Sequence, residues 1–209
     1  MKNLQKIVIV DYGMGNTWSV ISAINHLGYN CNLTSSSKEI LNADSIILPG
    51  VGSFNRAINQ LKKNGIFETI REAVLEKNKK ILGICLGFQL MGISSTEDGY
   101  NNGLNLIPSE VSHFSFKELK NYKIPHIGFN SVEFDQKDRF FLNIPQKSDF
   151  YFVHSYRFKC DNLPGFKAKT FHGESFLAAY HSDNIFGTQF HPEKSQVNGL
   201  SLIENFLDN

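Results

Sequence analysis

The chain has 209 residues, 41% hydrophobic and 20% charged, with Lys+Arg at 21 against Asp+Glu at 20. This composition is that of an ordinary soluble protein long enough to bury one substantial core. A formal net charge of +1 supplies no basic field for nucleic acid or an anionic membrane, so neither is expected as a partner.

The opening residues Met1-Lys-Asn-Leu-Gln-Lys6 lead into only four apolar positions, Ile7 to Val10. A signal peptide needs roughly 7 to 15 there and a spanning helix about 20. Cys31, Cys85 and Cys160 are far apart and form no CxxC pair. They argue against a disulfide framework or a zinc site and suit a reducing cytoplasm.

In chain order, Lys6–Val10 reads as a short β-branched strand. Asn16 and Thr17 are candidate caps for a helix with Val20, Ile21, Ile24 and Leu27 at a 3.6-residue period, stopped by Gly28. Ser45–Leu48 is a second buried strand, closed by Pro49-Gly50. Residues 54–64 and 66–78 read as helices split by Gly65, and Lys80–Ile84 is a third strand with a helix from Phe88. Continuous apolar strands between amphipathic helices predict a parallel sheet covered on both faces. From Asn105 to Thr188 the segments shorten and alternate, as at Ser131–Phe134, Phe150–Val153 and Ala168–Phe171, which predicts antiparallel strands added to one edge of the sheet. Gly199–Phe206 closes the chain as a helix. With no repeat or linker, residues 1–209 read as a single domain.

Three segments carry chemistry. In Lys80-Ile-Leu-Gly83-Ile-Cys85-Leu-Gly87-Phe-Gln89 a strand enters Gly-x-Cys-x-Gly and a helix follows. That is a nucleophile elbow with cysteine as the nucleophile, where the sharp turn needs glycine two residues either side. The helix N-terminus beneath Cys85 favours a thiolate; the bland alternative is a small buried hydrophobe. In Phe186-Gly-Thr-Gln-Phe-His191-Pro192-Glu193-Lys194, an extended backbone held by Pro192 would put His191 and Glu193 on one side, as base and orienter. His154 competes for the base role, and His26 less so. In Pro49-Gly50-Val51-Gly52-Ser53, at a strand C-terminus, the glycines leave peptide N–H groups free to face an oxyanion, a contribution of about 3 kcal/mol. Gly13-Met-Gly15 lacks the full nucleotide-loop pattern and reads as a rim loop. Together these segments supply the parts for acyl transfer through a thioester. No P-loop, metal-ligand spacing or cofactor motif accompanies them.

These residues resemble the class I glutamine amidotransferases. The finer resemblance is to the glutaminase subunits of imidazole glycerol phosphate synthases, and it spans nearly the whole chain. It rests on Asp11-Tyr-Gly-Met-Gly-Asn16, Pro49-Gly-Val-Gly-Ser-Phe54, Pro125-His-Ile-Gly-Phe-Asn130, Tyr151-Phe-Val-His-Ser-Tyr156 and Phe190-His-Pro-Glu-Lys-Ser195. It implies a three-layer α/β/α fold and a Cys85–His191–Glu193 triad. It also implies an oxyanion site at Gly50, Val51, Gly52 and Leu86, with the Gly50–Gly52 strand flipping for activity. L-glutamine would be held by Gln89, Glu97 and the His154-Ser155-Tyr156 segment. A (β/α)8-barrel cyclase subunit would receive the ammonia and form imidazole glycerol phosphate and AICAR. Asp11, Asn16, Phe129, Tyr151 and Lys194 match the face turned to it, and Ile127, Phe129, Tyr12 and Met14 are expected to be displayed there. The chain alone should then be a poor glutaminase.

Phe129 stands where that family usually carries tryptophan, Ile127 and Phe88 where it carries methionine, and Gly103-Leu-Asn-Leu-Ile-Pro-Ser109 where it carries Gly-Leu-Gly-Leu-Ile-Pro-Gly. The His126-Ile-Gly-Phe-Asn130 segment is also similar to paralogues that supply ammonia for amidation of bacterial surface sugars. A cysteine hydrolase or peptidase, or a silent regulatory relative, are the readings of other classes.

Overall fold

The structure, a computed structural model, describes residues 5–115, 122–159 and 163–208. Met1–Leu4 and Cys160 lie outside the described residues. In chain order the elements begin with β1 (Ile7–Val10), α1 (Thr17–His26), β2 (Cys31–Thr34), α2 (Ser37–Leu41) and β3 (Ser45–Leu48). Next come α3 (Phe54–Lys63), α4 (Ile66–Arg71), β4 (Lys80–Ile84) and α5 (Leu86–Leu90). Short strands follow: β5 (Ser94–Ser95), β6 (Asn101–Asn102), β7 (Val111–His113), β8 (His126–Ser131), β9 (Asp149–His154) and β10 (Tyr156–Phe158). The chain ends with β11 (Phe166–His172), β12 (Glu174–Ser182), β13 (Ile185–Thr188) and α6 (Gln196–Asp208).

Seven strands form the main sheet in the order β11-β12-β13-β4-β3-β1-β2. From β13 to β2 every pairing is parallel, while β12 and β11 add antiparallel at one edge. β1 is apolar at all four positions, and β3 and β4 become apolar after an opening Ser45 and Lys80, because both faces are covered. In β1, Ile7 and Ile9 face one core and Val8 and Val10 the other. The first core takes Val20, Ala23 and Ile24 of α1 with Leu202, Ile203 and Phe206 of α6. The second takes Phe54, Ile58 and Leu61 of α3 with Ile66 and Ile70 of α4. The result is the expected three-layer arrangement, in which each fully buried Ile or Leu stabilises by about 1.5–3 kcal/mol.

Several local expectations change. β2 and α2 went unforeseen, since Cys31–Thr34 is a half-exposed edge strand with no strong period. The helix from Ile66 is α-helical only to Arg71 and widens into a π turn at Glu72–Glu76. Asn16 occupies the N-cap position of α1, but its side chain makes no capping hydrogen bond.

Of the three alternating segments, only Ala168–Phe171 joins the edge of the main sheet. β8 and β9 pair with each other as a separate two-stranded ribbon, and β10-β7-β5-β6 make a small second sheet. Val132–Phe134 reaches β11 only through a Glu133–Lys169 bridge. An alternating strand has one apolar face to bury, and in β9 that face, with Phe150 and Phe152, packs inward instead of extending the sheet. Phe150 stacks on Phe190 at 4.2 Å, and Phe152 meets Phe176 at 5.9 Å. Among the described residues no helix is long and apolar enough to cross a membrane.

Candidate active site

Cys85 follows β4 and precedes α5 with φ 53° and ψ −107°. A non-glycine residue at positive φ is held there only by its surroundings. Its N–H donates to the Thr188 carbonyl of β13 at 2.7 Å, and its carbonyl accepts from Gln89 N–H at 3.1 Å. The flanking glycines are required by contact. A Cβ on Gly83 would lie 2.7 Å from the Phe88 Cα, and one on Gly87 would lie 1.8 Å from the Leu48 carbonyl oxygen. The turn sits backbone to backbone against β3, as the elbow pattern predicted.

The thiol lines a cavity of about 320 Å³ with His191, Val51, Gly52 and Leu86 on the reacting side. Gln89, Glu97, Val153, His154, Ser155 and Tyr156 form much of the rest. A larger groove of about 580 Å³ lies at the N-terminal ends of β1 and β2, beside Lys6, Cys31 and Glu39. There burial pushes the Cys31 thiol up, and no histidine lines the groove to activate it. Larger size does not make it the reactive site.

His191 Nδ1 stands 2.8 Å from Glu193 Oε1, and both side chains are almost wholly buried. The pairing was foreseen, but its geometry was not. Pro192–Lys194 forms a 3-10 turn with Pro192 at its start, so the carboxylate folds back onto the imidazole rather than lying along an extended strand. The His191–Ser195 segment is pinned to Tyr151 of β9 at both ends. His191 N–H donates to the Tyr151 carbonyl at 2.8 Å, and Ser195 Oγ accepts from Tyr151 N–H at 3.0 Å while donating to the His191 carbonyl at 2.6 Å. Burial disfavours the imidazolium, but Cys85 and Glu193 outweigh it and push the His191 pKa up to about 10. His191 Nε2 is buried and forms no hydrogen bond within the chain, and the same holds for Glu193 Oε2. An imidazole held by a carboxylate beside a thiol, with its proton firmly bound, is equipped to keep the thiol's proton and return it.

The competing histidines are otherwise engaged. His26 is exposed on α1. His154 sits in the cavity wall with Nδ1 2.9 Å from the Tyr156 carbonyl and Nε2 3.1 Å from His126. Burial drives its pKa well down, so it is held as a neutral ring.

The expected oxyanion segment follows β3. Gly50 tolerates no side chain, since a Cβ would meet the Tyr12 hydroxyl at 2.6 Å and Gly87 N at 2.9 Å. Gly52 has φ +105°, and Val51 is exposed at the cavity. Tyr12 was expected on the docking face. Instead it is buried beneath this turn, donating to the Pro49 carbonyl at 2.8 Å, which gives its hydroxyl a partner away from water. Met14 is half-buried, with its Cε 3.0 Å from the place of a Gly52 Cβ.

Gln89 is buried rather than a surface polar residue. Its Nε2 donates to the Tyr156 carbonyl at 2.7 Å and to Gln189 Oε1 at 3.0 Å. Glu97 accepts the Phe54 N–H at 2.8 Å, and burial raises its pKa. Gln189 was missed by the sequence reading. It is fully buried, with Nε2 3.8 Å from Cys85 Sγ. Its place two residues before His191, on the same side of an extended segment, was the available signal.

Of the expected docking residues, Tyr151 lies between Phe129, at 5.6 Å between rings, and Lys194, whose Nζ is 5.9 Å from the Tyr151 ring. Phe129 and Ile127 are exposed on one face of β8. Asp11 accepts the Gly13 N–H in the loop after β1, and Asn16 is exposed. The 80%-exposed Trp18 was not foreseen, since its place in an amphipathic helix gave no warning. Among the described residues no group of three or more His, Cys, Asp or Glu side chains could hold a metal.

The family profile "Glutamine amidotransferase class-I" matches residues 8–209. The chain is 45% identical over 207 residues to imidazole glycerol phosphate synthase subunit HisH 1 of Parasynechococcus marenigrum, with 98% of each chain covered. It is 45% identical over 201 residues to the HisH 1 subunit of Campylobacter jejuni, covering 96% and 98%. It is 42% identical over 203 residues to the HisH subunit of Moorella thermoacetica, covering 97% and 94%. Among solved structures, PurLQS from Thermotoga maritima superposes with a TM-score of 0.73 at 19% identity, covering 100% of this chain and 99% of that one. A crystal structure of a glutamine amidotransferase gives 0.73 at 15%, covering 96% and 97%. At those identities the superpositions speak for the fold alone. By the profile and the near full-length identities together, this chain belongs to the class I glutamine amidotransferases, in the branch of the imidazole glycerol phosphate synthase HisH subunits.

Proposed function

We propose that residues 1–209 are one glutaminase domain that hydrolyses L-glutamine at Cys85 and passes the ammonia to a cyclase subunit in histidine biosynthesis. The carrying observation is Cys85 on a positive-φ elbow, in one cavity with a His191 that is paired at 2.8 Å to a buried Glu193. The thiol proton goes to His191, and Cys85 Sγ attacks the glutamine carboxamide carbon. The oxyanion is met by N–H groups of Gly50, Val51, Gly52 and Leu86 once the segment has turned toward it. Collapse breaks the C–N bond, His191 returns the proton to the leaving nitrogen, and ammonia departs. Water, deprotonated by His191, then cleaves the thioester to glutamate and restores the thiol. Glu193 keeps the proton on Nδ1 and stabilises the imidazolium.

Gln89, Glu97, His154, Ser155 and Tyr156 would hold the amino-acid end of glutamine. Such a set favours amidotransfer over a general peptidase, and the intact triad argues against a silent relative. The partner would be a (β/α)8-barrel cyclase in the cytoplasm, docking at Asp11, Asn16, Phe129, Tyr151 and Lys194. The related subunits named above all belong to imidazole glycerol phosphate synthases, which favours histidine biosynthesis over surface-sugar amidation. No cofactor or metal enters the scheme. The test is a glutamine analogue bearing an electrophile, applied to the complex with the organism's own cyclase. Modification of Cys85 alone is expected, whereas modification of Cys31 or Cys160 with Cys85 untouched would overturn the reading.

A further inference from the structure

We propose that His126 is a positioning residue for the glutamine-binding wall, locked with His154 into one tautomer by a directional chain of hydrogen bonds that runs from Asn130 to Tyr156. The inference rests on the glutamine reading of the cavity.

Its starting point is a carbonyl. His154 Nδ1 lies 2.9 Å from the Tyr156 carbonyl oxygen, which can only accept, so Nδ1 carries the proton. In a neutral ring Nε2 is then bare, and it lies 3.1 Å from His126 Nδ1, which must donate. His126 Nε2 is in turn bare and faces the Asn130 amide nitrogen at 3.3 Å. That amide cannot be reversed, because its nitrogen also donates to the Phe171 carbonyl at 2.9 Å. Beyond the far end, the Tyr156 carbonyl takes a second bond from Gln89 Nε2 at 2.7 Å, and Gln89 donates again to Gln189 beside Cys85. Each proton in the chain therefore has one consistent position.

The surroundings keep both rings neutral. His126 stacks on Phe152 at 4.8 Å, and His154 meets Phe176 at 5.0 Å and Phe114 at 5.3 Å. Among the described residues no carboxylate pairs with either ring. Ionisable groups around them include His172, stacked on His126 at 4.1 Å, and His191, while Arg157, paired with Glu174, lies over Phe114. Burial first, then the neighbouring histidines, push His126 down to about 3 and His154 well down.

The consequence is mechanical. His154 and Tyr156 line the cavity, while His126 does not. Removing His126 leaves a buried Nε2 on His154 without a donor and frees the wall to shift, which weakens glutamine binding more than it slows chemistry at Cys85. The other face of β8 carries exposed Ile127 and Phe129, so the strand that sets the wall also faces solvent where docking is expected.

The test uses the complex with the cyclase. His126→Ala is expected to raise the KM for glutamine about tenfold, with kcat within roughly threefold of wild type. His126→Asn, whose amide can reach the position of the Nδ1–H donor, should restore most of the loss. His126→Gln, whose amide reaches the other nitrogen's position, should not. On wild-type chain with ¹⁵N-labelled histidine, both rings should be neutral at pH 7 with the proton on Nδ1. A wild-type KM in His126→Ala, a loss confined to kcat, or either ring charged or protonated on Nε2 would overturn the proposal. Should the alanine variant not fold, the His126→Asn and His126→Gln pair and the wild-type spectrum still decide it. A wild-type complex that releases no ammonia from glutamine would instead defeat the functional reading, while the spectrum would still report the tautomers.

Discussion

Gly87→Ala should disable the site without touching a reacting atom. The added Cβ would lie 1.8 Å from the Leu48 carbonyl oxygen and 2.7 Å from its carbon, where real contacts keep at least 3.0 Å. One of β3 and α5 must therefore move by about 1.2 Å, and both atoms in the clash are backbone, so no rotamer relieves it. Overpacking of this kind costs typically 1–3 kcal/mol, and the upper end is expected here. The displacement falls between Cys85 and the Gly50–Gly52 segment, and misplacement by about 1 Å costs on the order of 100-fold in rate. Denaturant unfolding and glutamine-dependent ammonia release in the assembled complex are the assays. A variant with unchanged midpoint and unchanged kcat would refute the claim that close backbone packing sets the elbow.

Cys85→Ala should remove all glutamine-dependent product formation while leaving synthesis from added ammonia at the wild-type rate, measured in the assembled complex. Glu193→Gln should lower kcat far more than it raises the KM for glutamine, because the carboxylate orients His191 and does not line the cavity; a rise in KM at constant kcat would mean the role is wrong. Stability should also carry two opposed pH windows. The raised His191 pKa contributes stability that is complete below about 6.5 and lost as pH climbs through about 10, and Glu193→Gln should flatten that loss in thermal melts. The depressed His126 and His154 act in the other direction, so stability should fall as pH drops from about 6.5 toward 3.

The layers and the elbow turn at Cys85 were legible because their causes are local. A β-branched run buried on both faces, or a cysteine between two glycines at a strand end, announces itself within ten residues. The His191–Glu193 pair was legible for an incomplete reason, since adjacency alone put the groups together and a 3-10 turn, not an extended strand, completed the contact. What stayed hidden depends on distant partners. Tyr12 looks like a displayed aromatic until the Pro49 carbonyl is seen above it. Gln189 looks like any polar strand residue until Cys85 and Gln89 converge on it. The β8–β9 ribbon has the same alternation as an edge strand, and the packing of Phe150 on Phe190 and of Phe152 on Phe176 decides that it lies over the sheet. Period-2 patterning names the apolar face but not the surface that covers it.

The most direct measurement follows nitrogen. Glutamine labelled with ¹⁵N in the side-chain amide is supplied to the purified chain alone, to the chain with its organism's cyclase, and to that pair with the cyclase's own substrate. The account predicts little release in isolation and full turnover in the loaded complex, with the label in imidazole glycerol phosphate and none transferred by the Cys85→Ala complex. Full glutamine hydrolysis by the isolated chain, or a loaded complex whose product carries no label, would contradict it.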